Sequence, residues 1–296
     1  MNKCYLCGSD TTLLYKFSYN DYSIVKCRDC GFLRTFPLPD KNDLKALYGK
    51  EFNYDAKQKS EVFRSNLLET IKKNFIVGPL LKNLIKSFKH TENPLLLDIG
   101  CSTGWITSTA GKIGFDVKGI EANPNSAKVA REKFGLDVYD GFVEDLKCEN
   151  SFNAVTLFHV LEHFVDPLSV LLKINSLLMK SGKVLIVVPN AESLGTAMFK
   201  QHYNWNARHH ISYFSKHSLE IILQKAGFKV LKIVDLPSTP LLLNSFNRMM
   251  REREKNEKRC FILKSDVLGN LMMMPIALLG KLIGKGEVLA VYAEKN

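Results

Sequence analysis

The chain has 296 residues, of which 46% are hydrophobic and 24% charged. That is a globular composition, long enough for one large domain and a small attachment. Its net charge of +11 favours anionic partners (nucleic acid, acidic metabolites or an anionic membrane surface) without choosing among them. No apolar signal core follows Met1-Asn2-Lys3-Cys4, so the expectation is a cytoplasmic protein whose seven cysteines bind metal rather than form disulfides.

The first element is a cysteine module, residues 1–40. Cys4-x-x-Cys7 and Cys27-x-x-Cys30 are two C-x2-C pairs about twenty residues apart, each followed by a glycine, Gly8 or Gly31. Four thiolates suit tetrahedral Zn²⁺, and this spacing is that of a zinc ribbon. Four protein ligands leave no open coordination position, so the metal is expected to be structural and to supply the folding energy of so short a segment. Between the pairs, Tyr15, Phe17, Tyr19 and Tyr22 interleave with polar residues. A hairpin packing on the main domain is the preferred reading, with an RNA-binding surface as the alternative.

Phe36-Pro37-Leu38-Pro39 marks the exit from the ribbon. Residues 41–92 read as a helical linker or lid, with Gly78-Pro79 dividing two apolar-periodic helices. From residue 93 short strands alternate with helices. Strands are predicted at 95–99, 116–120, 137–139, 154–158, 183–188 and 229–234, and helices at 104–113, 126–134, 167–178 and 218–226. That alternation predicts βαβ units and a doubly wound α/β sheet. One last strand is predicted at 287–293.

Leu95-Leu-Leu-Asp98-Ile-Gly100-Cys101-Ser102-Thr-Gly104 is an apolar strand running into a tight small-residue turn, with a helix beginning near Trp105. This is the layout of a cofactor-binding βα turn. It is neither a phosphate-binding P-loop nor the full G-x-G-x-x-G fingerprint. Glu121 ends the next strand, where an acidic side chain can accept both hydroxyls of a ribose. Phe158-His159-Val-Leu-Glu162-His163 then brings the chain past the carboxyl edge of the sheet.

Taken together, the Asp98-to-Gly104 turn, Glu121 and the His159-to-Pro167 segment resemble the class I S-adenosylmethionine-dependent methyltransferases. The similarity is greatest to the branch that contains ubiquinone-biosynthesis O-methyltransferases, some of whose members carry an N-terminal zinc ribbon. The resemblance runs over residues 93–236 and 284–295. It implies a Rossmann-like seven-stranded sheet with its last strand inserted antiparallel. It also implies S-adenosylmethionine as cofactor, with Asp98, Gly100, Cys101 and Gly104 around the methionine part and Glu121 on the ribose. Val143 and Glu144 would then lie near the adenine, and Phe158 and His159 at the methyl-donor end. The chain departs from the family at Ser102, where glycine is usual; a serine needs slightly more room.

Methyl transfer needs an aligned nucleophile, and a base only where that nucleophile must lose a proton. The candidates are His210 and His163, then His159; His163 lies one helical turn beyond His159. Asp166 reads as the cap of a helix starting at Pro167. Glu192, Trp205 and Arg208 are candidate lining residues of the acceptor cavity. The expected function is methylation of a small-molecule acceptor such as a sugar, a quinone or lipid precursor or another metabolite. The alternative is an RNA methyltransferase that uses the ribbon and the basic charge. Methylation of an exocyclic base nitrogen is opposed by Phe158-His159-Val160-Leu161, which stands where such enzymes carry an Asn/Asp-Pro-Pro-aromatic turn. A non-catalytic zinc-ribbon protein is opposed by the intact Asp98, Gly100, Gly104 and Glu121.

Residues 237–285 form a helical insertion in the domain spanning 93–296. Its first part is basic, and 267–283 is strongly apolar yet short of a membrane span. A cap over the acceptor pocket is preferred to an interfacial helix at a membrane, and that in turn to an oligomer contact.

Overall fold

A computed structural model describes residues 3–17, 22–38, 76–147, 151–207, 209–254 and 267–296. The first expected helix of the linker, Tyr19, Arg208, Cys148 and Cys260 lie outside them.

Two sheets organise the chain. The smaller contains β1 (Thr11–Lys16), β2 (Ser23–Cys27) and β3 (Leu33–Phe36), antiparallel throughout. The larger is built around β4 (Leu95–Ile99), β5 (Asp116–Glu121), β6 (Asp137–Asp140), β7 (Phe152–Phe158) and β8 (Leu178–Pro189). These five run parallel in the order β8-β7-β4-β5-β6. The remaining strands are β10 (Phe228–Leu236) and β11 (Val288–Lys295). β11 inserts between β8 and β10, antiparallel to both, which gives the expected seven-stranded Rossmann-like sheet with its terminal strand reversed.

The central strands read as near-continuous apolar runs because both faces are covered. On β4, Leu97 and Ile99 join the core beneath one helical layer, while Leu96 faces the other. The first layer is α4 (Pro167–Leu177) and α6 (Lys216–Lys225); the second is α1 (Gly78–Ile85) and α2 (Trp105–Ile113). Thus the described part of segment 41–92 flanks the sheet: Leu80, Leu81 and Leu84 of α1 pack against Leu96, Ala154 and Tyr292. A further helix, α3 (Pro124–Phe134), buries Ala127 and Ala130 against Cys101 and Val138.

Caps fix these helices where the sequence places them. Asn123 accepts from the backbone N–H groups of Asn125 and Ser126, and Asp166 from that of Ser169. Asp166 precedes Pro167 at the first helical position, as expected of a cap.

A short helix, α5 (Leu194–Phe199), follows β8. The insertion contributes α7 (Thr239–Glu254) and α8 (Val267–Leu282). Leu242 and Leu243 of α7, and Met273 and Ala277 of α8, pack in one cluster with Phe199, Tyr203 and Trp205.

Two elements of the large domain, α5 and a strand of two residues, have no counterpart among the predicted ones. β9 (Ser212–Tyr213) belongs by sequence to the large domain, yet it pairs with β3 as the fourth strand of the small sheet, Leu33 opposite Tyr213 and Arg34 opposite Ser212. The ribbon is therefore continuous with the loop that carries His210.

Candidate active site

Chain geometry at the β4–α2 turn is set by two glycines. Gly100 has φ +68°, and a Cβ there would stand 2.5 Å from a methyl of Val160. Gly104 has φ +84°, and a Cβ would stand 2.8 Å from that of Ala130. Both conformations favour glycine, and both close approaches, which leave no room for a Cβ, let the helix begin against its neighbours. Ser102 also takes a left-handed conformation, φ +49°, and is exposed. Serine therefore occupies the position where glycine is usual at a modest backbone cost.

Beneath this turn Asp98 is 2% exposed. Its two oxygens accept from the hydroxyls of Thr107 at 2.6 Å and Thr156 at 2.7 Å. Burial pushes its carboxyl up to about 6, against the two threonine donors and with a push from Glu121. Asp98 thus ties β4 to α2 and β7 from below. Cys101 is buried on the same side, its sulfur 2.7 Å from where a Cβ of Gly119 would be. The lip of the turn is left to Gly100, Ser102 and Glu121.

Glu121 is half-buried. Its carboxylate accepts from the backbone N–H groups of Ser102 and Asn123, each at 2.8 Å. Those bonds fix the carboxylate at the strand edge and leave it spare acceptor capacity. Burial raises its pKa, opposed by the same backbone donors. Val143 is buried and Glu144 exposed in the 3-10 turn after β6. An adenosyl group fits this donor set: a carboxylate with spare acceptor capacity at the end of the second strand, next to a turn without side chains in its cradle.

On the other side of Gly100 lies the histidine cluster. β7 ends at Phe158, and His159 follows with φ +57°, half-exposed, its N–H donated to the Val187 carbonyl at 2.8 Å. Leu161–His163 is a 3-10 turn, so His159 and His163 do not stack one helical turn apart as the spacing predicts. Instead His163 turns to His210: the rings meet edge to face, centroids 4.9 Å apart. The Nδ1–H of His163 donates to the His209 carbonyl at 2.9 Å, which leaves Nε2 free for the cluster.

Glu162 lies between the histidines and is 1% exposed. His159 Nδ1 approaches its Oε1 at 3.4 Å, and among the described residues neither carboxylate oxygen receives a well-formed hydrogen bond. Burial would raise its pKa, but the His159 contact and the neighbouring imidazoles prevail and hold it down at about 2. Burial pushes His210 down to about 3, with Glu162 pulling the other way. The cluster is therefore a carboxylate set against a neutral imidazole. The nearest ligand atoms of Glu162, His163 and His210 all lie within 4.8 Å of one another. The histidines were legible in the sequence; the role of Glu162 was not, although its place between two of them was the available signal.

The backbone around His210 is held from the ribbon. Thr35 donates its N–H to the Ile211 carbonyl at 2.9 Å and its hydroxyl to the His210 carbonyl at 2.7 Å. Ile211 N–H donates to the Glu162 carbonyl at 2.8 Å. Trp205 forms the hub of an aromatic cluster with Tyr15 of β1, Tyr203 and Tyr213, and Phe17 is buried in the same cluster. Tyr15, Phe17 and Tyr22 of the ribbon thus face the large domain.

A small cavity of about 10 Å³, room for about one water, lies among Glu162, His210, Asn190, Tyr203, Trp205 and Tyr213. Beyond it, sharing Asn190, Ala191 and Trp205, an open cavity of about 400 Å³ separates the ribbon from the large domain. Glu192, Lys26, Lys216 and Lys285 line it. The wall is braced by fully buried Glu287. Its carboxylate accepts from the Ser193 hydroxyl at 2.8 Å, the Gly195 N–H at 2.9 Å and the Tyr203 hydroxyl at 3.1 Å.

At the ribbon's tip, Cys4 Sγ lies 3.5 Å from Cys30 Sγ, and Cys7 Sγ lies 3.4 Å from Cys27 Sγ. All four sulfurs fall within 4.8 Å of one another. Tetrahedral Zn²⁺ with Zn–S bonds of about 2.3 Å places sulfurs about 3.8 Å apart, so the set fits zinc. Gly8 and Gly31 take φ +78° and +69°, closing each knuckle.

Comparison with known proteins agrees with this layout. A family model described as a methyltransferase domain matches residues 75–233. The ubiquinone biosynthesis O-methyltransferase of Xanthomonas axonopodis pv. citri (strain 306) is 31% identical over 149 residues, 46% of this chain and 62% of the relative. That of Xanthomonas campestris pv. campestris (strain B100) is 34% identical over 102 residues, covering 32% and 43%. The chain thus spans less than two thirds of these curated relatives' length. Among solved structures, the 1,6-didemethyltoxoflavin-N1-methyltransferase of Burkholderia thailandensis, with bound 1,6-didemethyltoxoflavin and S-adenosylhomocysteine, superposes with a TM-score of 0.52 at 14% identity. It covers 95% of this chain and 98% of its own, a likeness of fold.

Proposed function

Because the chain belongs to the class I S-adenosylmethionine-dependent methyltransferase family, we propose that it methylates a small-molecule acceptor held between the histidine cluster and the ribbon. The observation that carries this reading is the contact of Val160 with Gly100. It sets the cofactor turn and the Glu162–His163–His210 cluster back to back, two residues of chain apart.

When bound, S-adenosylmethionine supplies an electrophilic methyl carbon on a sulfonium. Glu121 offers its open lone pairs to the ribose hydroxyls, and the Gly100–Gly104 turn surrounds the methionine part. Asp98 acts through the turn, holding it from below. Val143 and Glu144 border the adenine end, and Phe158 and His159 the methyl end.

On the acceptor side, neutral His210 accepts a hydrogen bond from the acceptor's hydroxyl and takes its proton as the new bond forms. Buried Glu162 stabilises the imidazolium as its charge develops, and His163 and His159 hold that carboxylate in place. The zinc ribbon is structural: Thr35 and β3 fix the backbone on which His210 stands. An anionic acceptor suits the lysine-lined cavity.

Calorimetry with S-adenosylmethionine and with a nicotinamide cofactor tests the first half, and binding of the former alone is expected. Radiolabelled methyl transfer into fractionated cell extract tests the second, with label expected among small molecules. Label confined to RNA would overturn the acceptor class. Tyr15, Phe17 and Tyr22 of the ribbon pack in the cluster around Trp205 instead of forming an open stacking surface, which favours the small molecule.

A further inference from the structure

Helix α8 is amphipathic in the reverse of the usual sense. Its polar and small residues Gly269, Asn270, Ala277 and Gly280 lie toward the protein, together with Met273. Its solvent face carries Leu268, Leu271, Met272, Leu278, Leu279 and Leu282, all at least 45% exposed and Leu282 82%. Their spacing of three and four residues makes one stripe along sixteen residues, about 24 Å of helix. No charged residue occurs between Val267 and Gly280. Contiguous exposed apolar surface of this kind marks a contact site.

We propose that α8 lies flat on an anionic lipid surface. Two observations select lipid over a protein partner. The first is charge: residues 237–285 hold nine Lys and Arg against four Asp and Glu, and exposed Lys281 and Lys285 close the apolar stripe at its C-terminal end. That combination of an apolar stripe with a basic margin is the signature of an interfacial helix. The second is Pro275, on the exposed side in mid-helix. It has no N–H to give the Leu271 carbonyl. A carbonyl without its helical donor is tolerated in the hydrated headgroup layer and disfavoured in a dry protein interface or in the acyl core. Among the described residues no helix is long and apolar enough to cross a membrane, so the helix lies on the surface rather than through it.

Placement gives the contact a use. Gly284 and Lys285, just beyond α8, line the open cavity, which shares Trp205 with the small cavity beside His210. A membrane under α8 brings that cavity's mouth to the headgroup layer.

The test is co-sedimentation of the full chain with phosphatidylglycerol vesicles and with phosphatidylcholine vesicles, alongside sedimentation velocity without lipid. Expected is binding to the anionic vesicles, weakened by salt, by a monomer in solution. The double substitution Leu271→Asp with Leu278→Asp should lower that binding at least about tenfold, with thermal midpoint and S-adenosylmethionine affinity unchanged. Leu282→Ser, at a position with little packing to lose, serves the same purpose should the double variant fold poorly, with a several-fold loss expected. No binding to anionic vesicles, or equal binding by the folded variants, overturns the proposal. So does a wild-type dimer that the substitutions split while vesicle binding stays absent: the stripe is then covered by a second copy. Loss of vesicle binding leaves cofactor affinity readable, so failure here is distinct from failure of the methyltransferase reading.

Discussion

At Gly100 a single hydrogen in place of a methyl decides whether two halves of the site can touch. Gly100→Ala sets a Cβ 2.5 Å from Val160 in a left-handed conformation. It should cost about 2–4 kcal/mol of stability and lower S-adenosylmethionine affinity, read by thermal midpoint and calorimetry. Gly135 is the control: its φ is +65° but nothing lies within 4 Å of its would-be Cβ. Gly135→Ala should cost only about 1–2 kcal/mol and spare affinity. Equal losses of affinity at both would break the link between the close approach and the cofactor turn.

His210 gives a signed pH effect. Its folded pKa, about 3, lies below the ordinary histidine value of 6.5. The unfolded chain therefore takes up a proton as pH falls through 6.5 while the native chain refuses it, and stability is lost on acidification, by up to about 1.4 kcal/mol per pH unit. Glu162, also depressed, adds a loss only below its ordinary 4.5, and Asp98, raised to about 6, acts in the opposite sense below that value. Asp98 owes nothing to His210 and persists in His210→Gln, and Glu162 acts below pH 4.5, so between pH 6.5 and 4.5 the difference between urea midpoints of the two proteins reports the histidine. Wild type should lose more between pH 6.5 and 4.5, and parallel curves would show His210 to be solvated. Glu162→Gln should lower kcat by roughly 10²-fold with little change in cofactor affinity; an unchanged kcat removes the carboxylate from proton transfer.

Among the elements, the ribbon has the farthest reach. Its third strand holds β9, and Thr35 holds the His210 carbonyl. Cys27→Ser, or zinc removal by a chelator, should therefore lower kcat by at least about tenfold while S-adenosylmethionine still binds, because the Gly100 turn and Glu121 stand on the other sheet. Loss of cofactor binding in step with activity would show instead that the whole domain unfolds with the metal.

The elements also divide by how legible they were. β4 and β7 declare themselves because strands buried on both faces read as apolar runs, and the Asp98-to-Gly104 turn because glycine and small residues cluster where the chain must bend. β9 has two residues and no period to read, and its partner at Leu33 is remote in sequence. The insertion's apolarity was plain, but composition does not say which way a stripe points, and α8 turns it outward. Burial of Glu162 was equally hidden, since a carboxylate between two histidines reads as a surface residue until the 3-10 turn folds it inward.

At the scale of the whole molecule, Glu287 joins segments distant in sequence. It lies next to the terminal strand yet holds Ser193, Gly195 and Tyr203, the wall of the inner cavity. Glu287→Ala leaves buried donors without an acceptor and should cost about 3 kcal/mol, measured by urea denaturation. A loss under 1 kcal/mol would mean water replaces the carboxylate.

The shared sheet has a further consequence for synthesis. β3 emerges early and its partner β9 only after more than half the chain has followed, so the nascent ribbon presents a bare strand edge throughout that interval. A fragment ending before Ser212 would keep that edge for good and should tend to pair with its own copies. The first forty residues are better regarded as one half of a clasp than as a detachable tag.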